Sequence, residues 1–150
     1  MWVSIGSDDG GPLLDALKAA LRARGYELSE HGAGALRPEP WAQTALSVAR
    51  EVASGRSQFG VVMCFTGTGV SIAANKVPGI RAALCGDAET ARGARLWNNA
   101  NVLALSLRST TPQLGAEILE AWLRADYSGE EHDSLRILEL TDDAQRDGTS

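Results

Sequence analysis

A cysteine, a threonine two residues later and a Gly-Thr-Gly turn make the stretch from Cys64 to Ser71 the part of this chain best equipped for chemistry. Glycines let the backbone of Gly67 and Gly69 approach a ligand closely, and the first amides of a helix opened by the turn lack internal partners and carry partial positive charge. Such a turn holds an anion, either a bound phosphate or carboxylate or an oxyanion formed during reaction. The thiol of Cys64 has two readings: a small core residue, or a base or nucleophile whose thiolate a helix terminus favours. Asp8 and Asp9 form a second constellation. They cap the first helix, or they stand at a strand tip where carboxylates hold sugar hydroxyls and relay protons. The glycine spacing fits neither a phosphate-binding loop, since no Gly-Lys-Ser/Thr follows, nor a dinucleotide fingerprint, so nucleotide binding is disfavoured.

These residues need strand tips to hold them. Short apolar runs predict strands over 3–7, 26–28, 61–64, 80–85 and 102–105. Helical spacing of apolar residues predicts helices from Pro12 to the stop at Gly25, over 41–53, from near Val70, from the N-cap Asp87 to about Leu96, from Thr111-Pro112 through Leu123, and over 133–140. Gly and Pro content makes 32–40 a loop, with His31 at its edge on the surface, and the polar residues from Asp142 a frayed tail. Strands alternating with helices imply an α/β domain, a parallel sheet covered on both faces, with ligands at the carboxyl ends of the strands. Asp8, Asp9, Cys64 and the glycine turn all fall at such ends.

The 150 residues, 44% hydrophobic, fit one domain over 1–150. With 14 Lys+Arg against 19 Asp+Glu and no basic run, nucleic acid finds no electrostatic footprint. No apolar stretch approaches the roughly 20 residues that cross a bilayer, and no charged leader precedes a long apolar run, so the expected location is cytoplasmic, away from membranes. Cys64 and Cys85 each end a strand-like run, which suits reduced thiols, and their spacing and that of the two histidines indicate no metal site. No cofactor is expected.

The segment from Cys64 to Lys76, continued by Val77-Pro78-Gly79-Ile80-Arg81-Ala82-Ala83-Leu84-Cys85 and later by Asn98-Asn99-Ala100-Asn101-Val102-Leu103-Ala104, closely resembles the type B ribose-5-phosphate isomerases and galactose-6-phosphate isomerase subunits. The similarity spans nearly the whole chain. It implies a Rossmann-like three-layer fold with a five-stranded parallel sheet, and a homodimer, often paired into a tetramer, whose active sites are completed by the neighbouring subunit. It implies aldose–ketose isomerisation through an enediolate, with Cys64 as base, Thr66 as its neighbouring hydroxyl, the amides of Gly67, Thr68, Gly69, Val70 and Ser71 as anion hole, Asp8 on substrate hydroxyls and Asn98 reaching the substrate.

The departures from the family pattern concern recognition. Asp9 stands where the family has His, and Trp97 where it has the His before Asn98. Glu131-His132 replaces an Arg-His pair, with Arg136 displaced by one residue from the following Arg. Pro40-Trp41-Ala42-Gln43 lacks the family's Tyr-Pro-His, and Phe65 replaces a Gly. Arg108 alone remains of the phosphate-holding cations. Carboxylates repel a dianion and donate no hydrogen bonds when ionised, and each lost bidentate arginine contact costs about 1.5–3 kcal/mol. The expected substrate is therefore an unphosphorylated or unusually substituted sugar. Two alternatives stand beside it: a conventional sugar-phosphate isomerase whose cations come from Arg81, Arg95 or Arg136, and a non-catalytic subunit or sugar-binding protein of the same fold.

Overall fold

The computed structural model describes residues 1–33 and 35–148. Five strands, β1 (Trp2–Ser7), β2 (Glu27–Gly32), β3 (Gly60–Cys64), β4 (Ala82–Leu84) and β5 (Val102–Ser106), form one parallel sheet in the order β2-β1-β3-β5-β4. The helices are α1 (Pro12–Ala23), α2 (Trp41–Ala53), α3 (Thr68–Ala74), α4 (Ala88–Asn98), α5 (Pro112–Arg124) and α6 (His132–Arg146). Chain direction decides which face each covers, because parallel crossovers are right-handed. α1 links β1 outward to β2 and α4 links β4 back to β5, so both pack, with α5, on one face. α2 and α3 carry the chain the opposite way and cover the other face.

Strand alternation divides the core accordingly. Val3, Ile5, Val61, Met63, Leu103 and Leu105 face α1, α4 and α5 beside Phe59 and Trp122, while Val62, Cys64, Val102 and Ala104 face α2 and α3. Local sequence places the helix starts. Pro12 occupies the first turn of α1, whose Leu13, Leu14, Leu17 and Leu21 are buried. Asp87 Oδ1 accepts from the Thr90 amide at 2.7 Å to cap α4, and Thr111 Oγ1 accepts from the Leu114 amide at 3.1 Å to cap α5. No described helix is long and apolar enough to cross a membrane.

Several expectations need correction. α1 is capped by Gly11 without a side-chain bond, so neither Asp8 nor Asp9 caps it. β2 runs to Gly32, which puts His31 on a strand, with Nε2 3.1 Å from Glu51 Oε1 on α2, rather than on a surface loop. β4 keeps only three residues, and Cys85 follows it as a buried residue. α6 starts at His132 and extends through Arg146, so the polar stretch beginning at Asp142 is helical that far. Gly34 of the expected loop and residues 149–150 of the expected tail lie outside the described residues.

Candidate active site

β1 and β3 lie side by side at the point where the chain's winding reverses, the usual ligand position in a doubly wound sheet. Ser7 pairs with Met63, and the Asp8 amide donates to the Met63 carbonyl at 3.0 Å, carrying the ladder one residue past β1. Alternation then puts Asp8 on the α2/α3 side of the sheet, the side Cys64 takes. Cys64 is 6% exposed and pairs on its other flank with Ser106. The bond from the Leu107 amide to the Cys64 carbonyl, 2.9 Å, fixes the strand end from the β5 side. A half-buried carboxylate and a thiol thus stand on adjacent strand tips, facing the same way.

The turn that follows is forced by its packing. Gly67 has φ 78°, and a Cβ there would stand 2.6 Å from Leu84 Cδ1 and 2.9 Å from the Leu105 carbonyl. Only glycine fits that left-handed, crowded position. The first intrahelical bond of α3 runs from the Ser71 amide to the Gly67 carbonyl at 3.3 Å, so the amides of Thr68, Gly69 and Val70 precede the helix's own ladder. The hydroxyls of Thr66 and Thr68 lie 2.7 Å apart, two exposed residues with their polar atoms together at the mouth of the turn.

Phe65 points to the opposite side from Cys64. With Asp9, Pro12, Leu13, Leu107, Arg108 and Pro112 it lines a cleft of about 400 Å³. The Arg108 guanidinium lies over the Phe65 ring, 5.5 Å from its centroid, and the Arg108 amide donates to the Phe65 carbonyl at 3.1 Å.

The remaining expected residues stand elsewhere. Trp97 and Asn98 end α4, which returns the chain to the amino-terminal edge of the sheet, where Arg81, Ala82 and Ala100 lie. Together with Glu131, Ser134 and Leu138 of the α6 region they line a second cleft, of about 590 Å³. The Trp97 ring folds back over Gly93 and beneath the Arg92 guanidinium. His132 and Arg136 are exposed on α6, and Arg136 is paired with Glu139 at 3.0 Å. Within one chain, then, Asp8, Asp9, Cys64, Thr66, Gly67–Ser71 and Arg108 gather at one edge, whereas Trp97, Asn98, His132 and Arg136 do not. A five-residue strand separates the edges by roughly 15 Å.

Arg81 and Arg95 are spent on backbone. Arg81 donates to the carbonyls of Asn99 (2.7 Å) and Gly79 (3.4 Å), and Arg95 to those of Ala100 (2.6 Å) and Ala125 (3.3 Å) while lying over Trp122. Burial depresses both guanidinium pKa values, though nearby Asp142 and Glu139 oppose the effect at Arg81 and Asp126 at Arg95. The chemistry of Cys85 also differs from that expected of an active thiol: burial, aided by Asp87, pushes it up to about 11.

Two further residues, Phe65 and Trp41, contribute to this edge. Phe65 is a wall of the cleft, and its position directly after an inward-facing strand residue was the available signal. Trp41 packs over Gly69, where an added Cβ would meet its ring at 3.0 Å. That contact joins distant segments and leaves no local signature.

Residues 3–139 match the model of the Ribose/Galactose Isomerase family. The ribose-5-phosphate isomerase B of Escherichia coli is 37% identical over 145 residues, covering 96% of this chain and 97% of that protein. A D-erythrulose-4-phosphate isomerase of Pectobacterium atrosepticum is 36% identical over 129 residues, 85% of each chain. The solved Clostridium thermocellum ribose-5-phosphate isomerase B superposes with a TM-score of 0.85 at 41% identity, covering 94% of this chain and 97% of that one.

Proposed function

The chain belongs to the Ribose/Galactose Isomerase family, and from that premise we propose that it is an aldose–ketose sugar isomerase in which Cys64 moves the proton. The observation that carries this reading is the placement of Cys64 and Asp8 on adjacent strand tips, directly before the Gly67 turn. In the open-chain aldose, the Cys64 thiolate takes the proton from C2, and the electron pair moves into the C1 carbonyl to give an enediolate. The amides of Thr68, Gly69 and Val70, with the Thr66 hydroxyl, face the developing oxyanion; one such donor is worth about 3 kcal/mol of transition-state stabilisation. Asp8 accepts from substrate hydroxyls and carries the O2 proton to O1. The thiol then returns its proton to C1, leaving the ketose, with one hydrogen moved from C2 to C1 and one proton from O2 to O1.

The recognition end favours an atypical sugar, unphosphorylated or unusually substituted. Arg81 and Arg95 are committed to backbone carbonyls and Arg136 pairs with Glu139, whereas Arg108 stands with unengaged donors in a cleft it shares with Asp9. The two separated groups of residues support a shared site in a homodimer or tetramer, in which Trp97, Asn98, His132 and Arg136 of one copy meet the Cys64 edge of another. Ile137, Leu138 and Leu140 are exposed on α6, an apolar surface suited to that contact.

Solvent deuterium wash-in next to the carbonyl, measured across free and phosphorylated aldoses and ketoses, tests the reading. Exchange is expected with a free or substituted sugar and should fall about 10²- to 10⁴-fold in Cys64→Ser. Unchanged turnover in that variant removes the cysteine from the mechanism. Ordinary efficiency with ribose 5-phosphate removes the atypical substrate.

A further inference from the structure

Arg108 stands between two clefts at the carboxyl edge of the sheet. One, of about 300 Å³, is lined by Thr66, Leu84, Cys85 and Ser106; the other, of about 400 Å³, holds Asp9 among the apolar walls of Leu13, Phe65, Leu107 and Pro112. Among the described residues the Arg108 guanidinium has neither a hydrogen bond nor an ion pair, unlike Arg81, Arg95 and Arg136. The cation–π contact with the Phe65 ring, 5.5 Å from Cζ to its centroid, places the guanidinium without using any of its hydrogen-bond donors on a protein acceptor.

We propose that the substrate carries a single negative charge at the end remote from its carbonyl, a carboxylate or a sulfonate in place of a phosphate, and that Arg108 binds it; this rests on the isomerase reading of the Cys64 edge. One guanidinium matches one monoanion through two parallel hydrogen bonds, to both oxygens of a carboxylate or to two of the three oxygens of a sulfonate. A phosphate dianion would keep one charge uncompensated in a cleft that already contains Asp9, where apolar walls strengthen the repulsion. An uncharged tail would leave the pre-placed donors of Arg108 facing nothing. The α6 region brings no surplus of cations to a shared site, since Glu131 adjoins His132 in the chain and Glu139 pairs with Arg136. Phe65 is a positioning residue in this scheme, because it restricts the guanidinium to the orientation the tail meets.

Calorimetric titration with D-gluconate, D-glucarate, 6-deoxy-6-sulfo-D-gluconate and 6-phospho-D-gluconate tests this. The four share a six-carbon chain with a carboxylate standing in for the enediolate, and differ only at C6. The carboxylate or the sulfonate is expected to bind about tenfold tighter than gluconate and than the phosphate, and the better of the two identifies the tail. Arg108→Met should reduce that ligand to the affinity of gluconate, and Phe65→Gly should narrow the ratio between that ligand and gluconate. Tightest binding of the phosphate, equal binding of all four, or binding of none would overturn the proposal. The ranking is read at equilibrium, so it fails separately from the mechanism. A phosphate-first ranking defeats the tail and leaves the base standing, whereas undiminished turnover by Cys64→Ser defeats the base and leaves the ranking.

Discussion

Asp8 and Cys64 stand on neighbouring strand tips and on the same side of the sheet, because the Asp8 amide extends the β1–β3 ladder to the Met63 carbonyl. The carboxylate is half-buried, with no hydrogen bond or ion pair to its side chain among the described residues. Asp8→Asn keeps the shape and removes the acceptor and proton carrier. Its kcat/KM on the substrate found by wash-in is expected to fall about 10²-fold, with the thermal midpoint moved by no more than a few degrees. A fully active Asp8→Asn would make the carboxylate a bystander.

Gly67→Ala adds a methyl where φ is 78° and where Leu84 Cδ1 and the Leu105 carbonyl leave no room. The left-handed backbone alone costs roughly 1–2 kcal/mol and the overpacking a further 1–3. Urea denaturation should report a loss of at least about 2 kcal/mol. Adding Leu84→Ala should recover only part of it, since the Leu105 contact is with backbone, which cannot step aside.

The Cys85 thiol is raised by burial and by Asp87 from 9.0 to about 11. The folded protein therefore holds a proton that the unfolded chain releases, and stability falls as pH rises from 9 toward about 11, with no contribution below that window. Urea midpoints of wild type and Cys85→Ala at pH 8, 9 and 10 should diverge in slope. The wild type loses stability faster above pH 9, and parallel curves would contradict the assignment.

A shared site makes a complementation experiment quantitative. Cys64→Ser and Asn98→Ala should each be nearly inactive, yet a randomly mixed population of the two should recover about a quarter of wild-type activity, because half the dimers are mixed and each contains one intact site. Recovery absent at every mixing ratio would mean that Cys64 and Asn98 do not serve one site.

Much of the scaffold was legible from periodicity. The leucines of α1, the caps Asp87 and Thr111 and the uninterrupted apolar run of β3 each announce their element locally. The polarity of His31 resembles that of a loop residue, whereas a partner on α2, Glu51, satisfies it on a strand. The polar composition of α6 hid its length, since Leu135 is its one buried residue among those described. At the site, the strand-to-turn motif revealed Cys64 and the amides. The Arg108–Phe65 stacking and the cover of Trp41 over Gly69 depend on how distant segments meet, and no local pattern encodes that.

The central place of β3 has a bearing on synthesis. Its tip is fixed on one flank by β1, already made, and on the other by β5, whose Ser106 pairs with Cys64 only after α3, β4 and α4 have been translated. Until β5 leaves the ribosome, the nascent chain carries Cys64 on an open sheet edge, available to oxidants and to wrong partners. A chain arrested before residue 106 should therefore react with thiol reagents far faster than the finished protein, and closure of the sheet is what converts an exposed thiol into a sheltered one.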